Sequence, residues 1–360
     1  MIRSIKICSS SEWCNSPQPQ DKDEPGCWLI SVAYHSAGPK KRPHGVGGYA
    51  DVTDNAGEIN HEGGQTGLIV TNGKSAVGAV RKAGIPGELL PWDDVLHDGP
   101  VPGGLGDAEL AHVRAAYLAD GADPGPIEAE LRLRDRTLQE AKGRIVLWFE
   151  HDLYDQLQLI QILSRLSCRS DLWMVPQDTF ITDLGPEALR TAFDQTVKVS
   201  EAQREWAVRA WAAFTAPRPD LMPELIQDPG IAALSHLAPA LRRWLESFPS
   251  KGGLARTETE VLRLLSDGPK SGVALFRATD ASEEAAFRGD WSFWKVLAGL
   301  SPGLLREEPD GLWSITGLGT QVLASARDRV SSIGLDSWRG GTHLTPENDW
   351  RWDGNRLRRR

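Results

Sequence analysis

Between residues 67 and 175, short unbroken apolar runs alternate with longer stretches in which apolar residues recur every three or four positions. Residues 67–71 (GLIVT), 87–92, 144–149 and 172–175 read as buried strands. Residues 72–75 read as the turn into a helix through Ala83, and further helices fit 107–120, 127–142 and 153–166. Strands alternating with helices imply a parallel sheet with right-handed crossovers. Residues 185–249 are helical in pattern, with Trp206, Trp211, Phe214, Leu241, Trp244 and Leu245 at helix-like intervals and prolines dividing the run into short pieces. Helices are expected over 257–266, 273–278 and 291–300, then strands 304–307 and 312–315 around the turn Pro309-Asp310-Gly311, then a closing helix over 316–326. That order looks like a winged helix.

The expected architecture is α/β: an open, mostly parallel sheet with helices on both faces, followed by a helical segment and a winged-helix-like C-terminal domain. The chain divides into an α/β domain (66–184), a helical linker region (185–250), the winged-helix-like domain (251–330) and a Trp-rich tail (331–360) whose Arg-rich end is expected to fray. Residues 1–65 are rich in Gly, Pro, Ser, Asn and Lys and cannot bury enough surface to offset their ordering entropy. They are expected to be mostly disordered, or an extension from a start codon placed too early, with the natural protein beginning near Gly67.

Composition narrows the partners. The 360 residues are 40% hydrophobic and 25% charged, as in ordinary globular proteins. A net charge of −9 and a pI near 5.5 argue against chain-wide affinity for nucleic acid or anionic membrane. No apolar run approaches the length of a bilayer crossing, and no signal peptide is recognisable, so a cytoplasmic protein is expected. Cys8, Cys14, Cys27 and Cys168 contain no C-x-x-C pair and are read as reduced thiols. The would-be recognition helix, Asp290-Trp291-Ser292-Phe293-Trp294-Lys295, is aromatic and nearly uncharged, whereas base and phosphate contacts need Arg, Lys, Asn or Gln. DNA is therefore not expected as a partner, and the unit is read as a packing or homodimerisation module.

The chemistry concentrates at strand ends. In RIVLWFEHDLYDQLQL (144–159) an apolar strand stops at Glu150-His151-Asp152, and a helix carrying Asp155 opens immediately after. The first strand ends at Thr71, Asn72 and Ser75, and the second at Asp93, Asp94 and His97. Parallel strands would bring these residues to one rim, where open α/β sheets bind ligands. His97, His151, Asp152 and Asp155 would hold a divalent metal or share a proton. Glu150 or Asp94 would serve as base, while Asn72, Lys74 and Ser75 would meet the substrate. A simpler account makes Asp152 the N-cap of the helix over 153–166, with Asp155 favoured by its dipole. Gly73-Lys74-Ser75 is not a P-loop, because position 68 is Leu and no Gly-rich cradle precedes it. No G-x-S-x-G elbow is present.

TNGKSAV (71–77), GELLPWDDVLHDGPVP (87–102) and LWFEHDLYDQLQL (147–159), followed by RTETEVL (256–262), GDWSFW (289–294), TGLGTQVL (316–323) and DSWRGGTHL (336–344), resemble a bacterial family of two tandem domains of unknown function. The resemblance spans roughly 67–353 and carries no settled activity. It implies Asp where this chain has Lys74, so a metal ligand at the first strand would here be replaced by a cation suited to an anionic substrate. The expected function is hydrolysis of an ester, lactone or phosphoester bond. The alternatives are a ligand-sensing regulator or a scaffold.

Overall fold

Strands β1 (Leu68–Thr71) and β3 (Ile145–Trp148) are buried throughout because both faces of their sheet are covered. The structure, a computed structural model, describes residues 67–360. Alternate strand residues feed opposite layers. Leu68, Val70, Ile145 and Leu147 enter one core, and Ile69, Val146 and Trp148 enter the other. With α1 (Lys74–Lys82), β2 (Glu88–Pro91), α2 (Asp107–Leu118), α3 (Gly125–Glu140), α4 (Leu153–Arg165), β4 (Leu172–Met174), α5 (Pro186–Asp194) and β5 (Val197–Lys198), they form a sheet of order β2-β1-β3-β4-β5. The first four strands are parallel, and β5 closes the edge antiparallel.

This order positions the site. The chain leaves β1 through α1 on one face and leaves β3 through α4 on the other, as the two separate cores record. Between the carboxyl ends of adjacent β1 and β3 the connections diverge and open a crevice.

Helix α4 is buried from Leu153 to Leu163, its three glutamines included. One side meets the sheet; the other meets α6 (Glu201–Phe214) and, past the short α7 (Met222–Leu225), α8 (Leu237–Leu245). Residues 185–250, expected as a linker region, therefore supply part of the sheet's own core, including Trp206, Phe214, Leu241 and Trp244.

A second core, containing Val261, Leu262, Leu275, Phe293, Leu297 and Val322, belongs to a unit of α9 (Arg256–Ser266), β6 (Lys270–Ser271), α10 (Gly272–Asp280), α11 (Asp290–Leu300), β7 (Leu305–Glu307), β8 (Leu312–Ile315) and α12 (Gly317–Leu323). Its antiparallel sheet has the order β6-β8-β7.

After α13 (Arg329–Ile333), two hairpins follow: β9 (Ser337–Arg339) with β10 (Thr342–Leu344), and β11 (Trp350–Trp352) with β12 (Leu357–Arg359). The Arg-rich end is thus a paired strand and not a frayed tail. Trp350, Trp352 and Leu344 return to the first core. The Gly-Gly pair makes this possible, since a Cβ on Gly341 would lie 1.7 Å from the Thr215 carbonyl oxygen. The Gly341 amide donates to the Phe214 carbonyl, and the Val101 amide donates to that of Gly340. Among the described residues no helix is long and apolar enough to cross a membrane.

Candidate active site

Asp152 is the N-cap of α4: its Oδ1 accepts the Asp155 amide at 3.2 Å. That cap turns the first helical turn back toward β3, so Asp155 Oδ1 accepts the Glu150 amide at 2.6 Å. Gln156 Nε2 reaches the Glu150 carbonyl at 2.6 Å and fixes the residue two past the end of β3. Local chain geometry alone thus presses Glu150, Asp152 and Asp155 together, each offering an oxygen within 4.8 Å of the others. All three are buried.

The sheet order adds the fourth member. Asn72, at the end of adjacent β1, donates through Nδ2 to Glu150 Oε2 at 3.0 Å and to Asp155 Oδ2 at 2.9 Å. The remaining Glu150 oxygen accepts the Ile181 amide at 2.5 Å. Asp152 Oδ2 is buried and accepts from no donor. No Arg or Lys forms an ion pair with any of the three carboxyls among the described residues.

Burying like charges without a cation favours protonation. Desolvation, reinforced by the Asp155 charge, pushes Glu150 up to about 9. Burial likewise raises Asp155 to about 7, although the Glu150 amide and Asn72 hydrogen-bond its charged form. Asp152 lies well above the usual carboxylate range, again through burial and then through its two acidic neighbours. The cluster can settle its charge by retaining protons or by taking up a hard cation, for which an all-oxygen set is suited. A divalent metal ion could be held here.

Glu150 and Asn72 also line a cleft of about 550 Å³ over the carboxyl ends of β1 and β2, with Tyr154 and Thr182 beside them and α3 opposite. Its charged lining is predominantly acidic: Glu88, Asp93, Asp94, Glu130 and Glu150 against Lys74 and Arg134. Asp93 caps the N-terminus of α1 from outside the helix, accepting the Lys74 amide, and burial holds its carboxyl above the ordinary range. Gly73 permits this contact. Its φ is 154°, and a Cβ there would lie 2.7 Å from Asp93 Oδ1. Gly73→Ala is expected to displace Asp93 and destabilise the fold by about 1–3 kcal/mol. Urea unfolding tests this, and an unchanged midpoint would show that the loop simply moves aside.

Other expected site residues are placed elsewhere. Neither His97 nor His151 joins the carboxyl group, so the metal set of His97, His151, Asp152 and Asp155 is not assembled. His97 is 5% exposed and packs edge-on against Phe287 and Tyr154 at ring-centroid distances of 5.0 and 6.0 Å. His151 points to Phe180 and His236 (5.0 and 5.9 Å), and burial with the His236 charge lowers its pKa. Asp94, expected as a base, is spent on a buried ion pair, its Oδ1 accepting Arg114 Nη2 at 2.7 Å and Nε at 3.0 Å. Asn72 is engaged by two carboxyls and does not stand ready for substrate. Lys74 sits exposed on the rim, paired with Glu130 at 3.4 Å, and Ser75 is exposed beside it.

The sequence reading missed the Ile181 amide, Thr182 and, among the glutamines of α4, Gln158 and Gln161. Gln158 holds the Asp94 carbonyl at 3.0 Å, and Gln161 accepts the Trp92 indole at 2.8 Å. Glutamine recurring within an otherwise apolar helix was the available signal, because buried amides need partners. Ile181 carried none, as any residue supplies an N–H.

No protein-family model and no curated protein matches this chain. The family resemblance rests on the motifs quoted above.

Proposed function

We propose that the protein is a metal-assisted hydrolase of ester-type bonds, with its site at the β1/β3 crevice. Glu150, Asp152 and Asp155 would hold a divalent cation, and the adjoining cleft would hold the substrate. One observation carries this reading: three buried carboxyls, one with an unpartnered oxygen, lie together with no Arg or Lys ion-paired to them among the described residues, and they adjoin a cleft. Such a cation lowers the pKa of bound water and polarises a carbonyl. Glu150 is the member of the cluster that lines the cleft, so a cation held there would face a bound molecule. The acidic lining favours an uncharged ester or lactone over a phosphoester. Membership in the two-domain family is part of the same proposal.

The test uses the full chain after chelator treatment. Mn2+ is expected to raise its melting temperature and to switch on turnover within a panel of ester, lactone and phosphoester substrates. Glu150→Gln is expected to lose that turnover. No thermal shift and no turnover with the metal present would reject the assignment.

For the second unit, the order α9-β6-α10-α11-β7-β8 with sheet order β6-β8-β7 supports a winged-helix reading. Its aromatic helix is engaged within the chain. Trp291 meets Tyr117 edge-on at 5.8 Å, and Lys295 pairs with Asp120 at 2.6 Å. That engagement favours a docked module over one that contacts DNA or a second copy through this helix.

A further inference from the structure

A second cavity of about 400 Å³ lies where the sheet domain meets the second unit. Strings that the cleft does not absorb meet at its walls: LHDGPVP through His97 and Asp98, GDWSFW through Ser292, and DSWRGGTHL through Arg339. Most basic groups nearby are neutralised. Arg243 pairs with Glu283 at 2.6 Å, Arg329 with Glu258 at 3.1 Å, and Lys295 with Asp120 at 2.6 Å.

Arg288 and Arg339 are different. Neither forms an ion pair among the described residues. Arg288 has only a 3.4 Å contact to Thr257 Oγ1 and the face of Phe287, its guanidinium 4.9 Å from the ring centroid. Arg339 donates only to the carbonyls of Ser247 (2.8 Å) and Trp338 (2.7 Å). Both retain some accessibility because they face the cavity, yet burial, and for each at least one neighbouring arginine, disfavours its charge. A guanidinium does not escape that cost by losing its proton. Asp98 is the one carboxylate that offsets both. Its carboxyl is held below the ordinary range despite burial, with the Arg288 and Arg339 charges among the causes, and its Oδ2 lacks a hydrogen-bond partner.

His97 completes the wall. Burial drives its pKa down to about 3, so the ring is neutral, and neither Nδ1 nor Nε2 has a partner. A buried imidazole with both nitrogens unmet costs stability unless a ligand meets them.

We propose that this cavity binds a small phosphorylated organic molecule, its phosphate between Arg288 and Arg339 and its apolar part against Phe287 and Tyr117. The lining carries Arg288, Lys295, Arg329 and Arg339 against Asp98, Glu258 and Asp336; with Lys295 and Arg329 already paired, the two guanidinium groups without an ion pair leave room for added negative charge, and their planar forks match phosphate oxygens. The His97 imidazole can give or accept one further hydrogen bond. The volume falls within the range of small-ligand sites. Such a ligand would touch the 97–99 loop, α2, the segment before α11 and β9 together, and so would clamp the two units. The site is independent of the hydrolytic reading.

The probes are inorganic phosphate and phenyl phosphate, with phenol as the uncharged control, titrated calorimetrically into the full chain at constant ionic strength. Phenyl phosphate is expected to bind more tightly than phosphate, and phenol at least tenfold more weakly than either. Arg288→Gln combined with Arg339→Gln is expected to weaken phenyl phosphate binding at least tenfold, while Glu150→Gln leaves it unchanged. Should the double variant misfold, phenylglyoxal mapping of the unmodified chain serves instead. Phenyl phosphate is expected to protect Arg288 and Arg339 while leaving exposed Arg306 reactive. Absence of binding by both phosphate probes, undiminished binding in a folded double variant, or lack of protection would overturn the proposal.

Discussion

Asp152→Asn is expected to make the metal-free protein more stable at pH 8 and to abolish the proposed Mn2+-dependent turnover. Asparagine is an equally good N-cap, so its Oδ1 can keep the Asp155 amide while Nδ2 replaces the unpartnered oxygen with a donor toward Asp155. The substitution also removes one of three mutually repelling acids. The direction follows from linkage. Asp155 and Glu150 have folded-state values of about 7 and about 9, above those of an unfolded chain. The stability that their protons support is complete below the ordinary carboxyl range. It is lost as pH rises through the folded-state values, so the metal-free wild type weakens from about pH 4 to about pH 9. The variant should gain about 0.5–2 kcal/mol at pH 8, within the usual range of a stabilising substitution. Its metal affinity and turnover should fall by more than the roughly 10–100-fold that loss of an outer-layer partner costs. Thermal unfolding in chelator at pH 5 and pH 8, with Mn2+-dependent turnover, measures both effects. A variant less stable at pH 8 and fully active would reduce Asp152 to a helix cap.

The larger stability effect is expected at Arg114. This buried residue of α2 donates twice to Asp94 and also to the carbonyls of Asp98 (2.6 Å), Val95 (2.8 Å) and Pro100 (3.3 Å). One guanidinium thus ties down the 94–100 loop that borders both the cleft and the second cavity. Arg114→Ala leaves Asp94 charged and buried with no partner, and unfolding should become easier by about 3–5 kcal/mol. That is a large share of the stability of an ordinary domain. Arg114→Met combined with Asp94→Leu should recover much of the loss, because the penalty lies chiefly in the stranded charge. Urea unfolding of these two variants and the wild type decides it. Equal destabilisation by the single and double variants would mean that the loop carbonyls, and not Asp94, set the cost.

Much of the framework was legible because its causes are local. A strand over 144–149 and a helix over 153–166 follow from an unbroken apolar run, a capping Asp and a change of period. The capping account of Asp152 and the clustering of Glu150 with Asp155 have one origin, the tight strand-to-helix turn. Other assignments failed because their causes are distant. Asp94 and His97 follow a strand end as Glu150 does, but α2 brings Arg114 to Asp94, and the second unit brings Phe287 to His97. Nothing within ten residues of either foretells that partner. Likewise, the helical segment after residue 185 reads as a linker until α6 and α8 are seen to cover α4.

Taken alone, the amino-acid order determined the alternation of strands and helices and the gathering of acids at the start of α4, since each depends on periodicity or on neighbours a few bonds away. Tertiary structure decided that β1 lies beside β3, so that Asn72 reaches Glu150 and Asp155, and that Arg288 and Arg339 share a cavity with His97. Those meetings depend on strand order and on the docking of two cores. Apolar side chains drive both by burying area, a force without direction that says little about which polar groups end up facing one another.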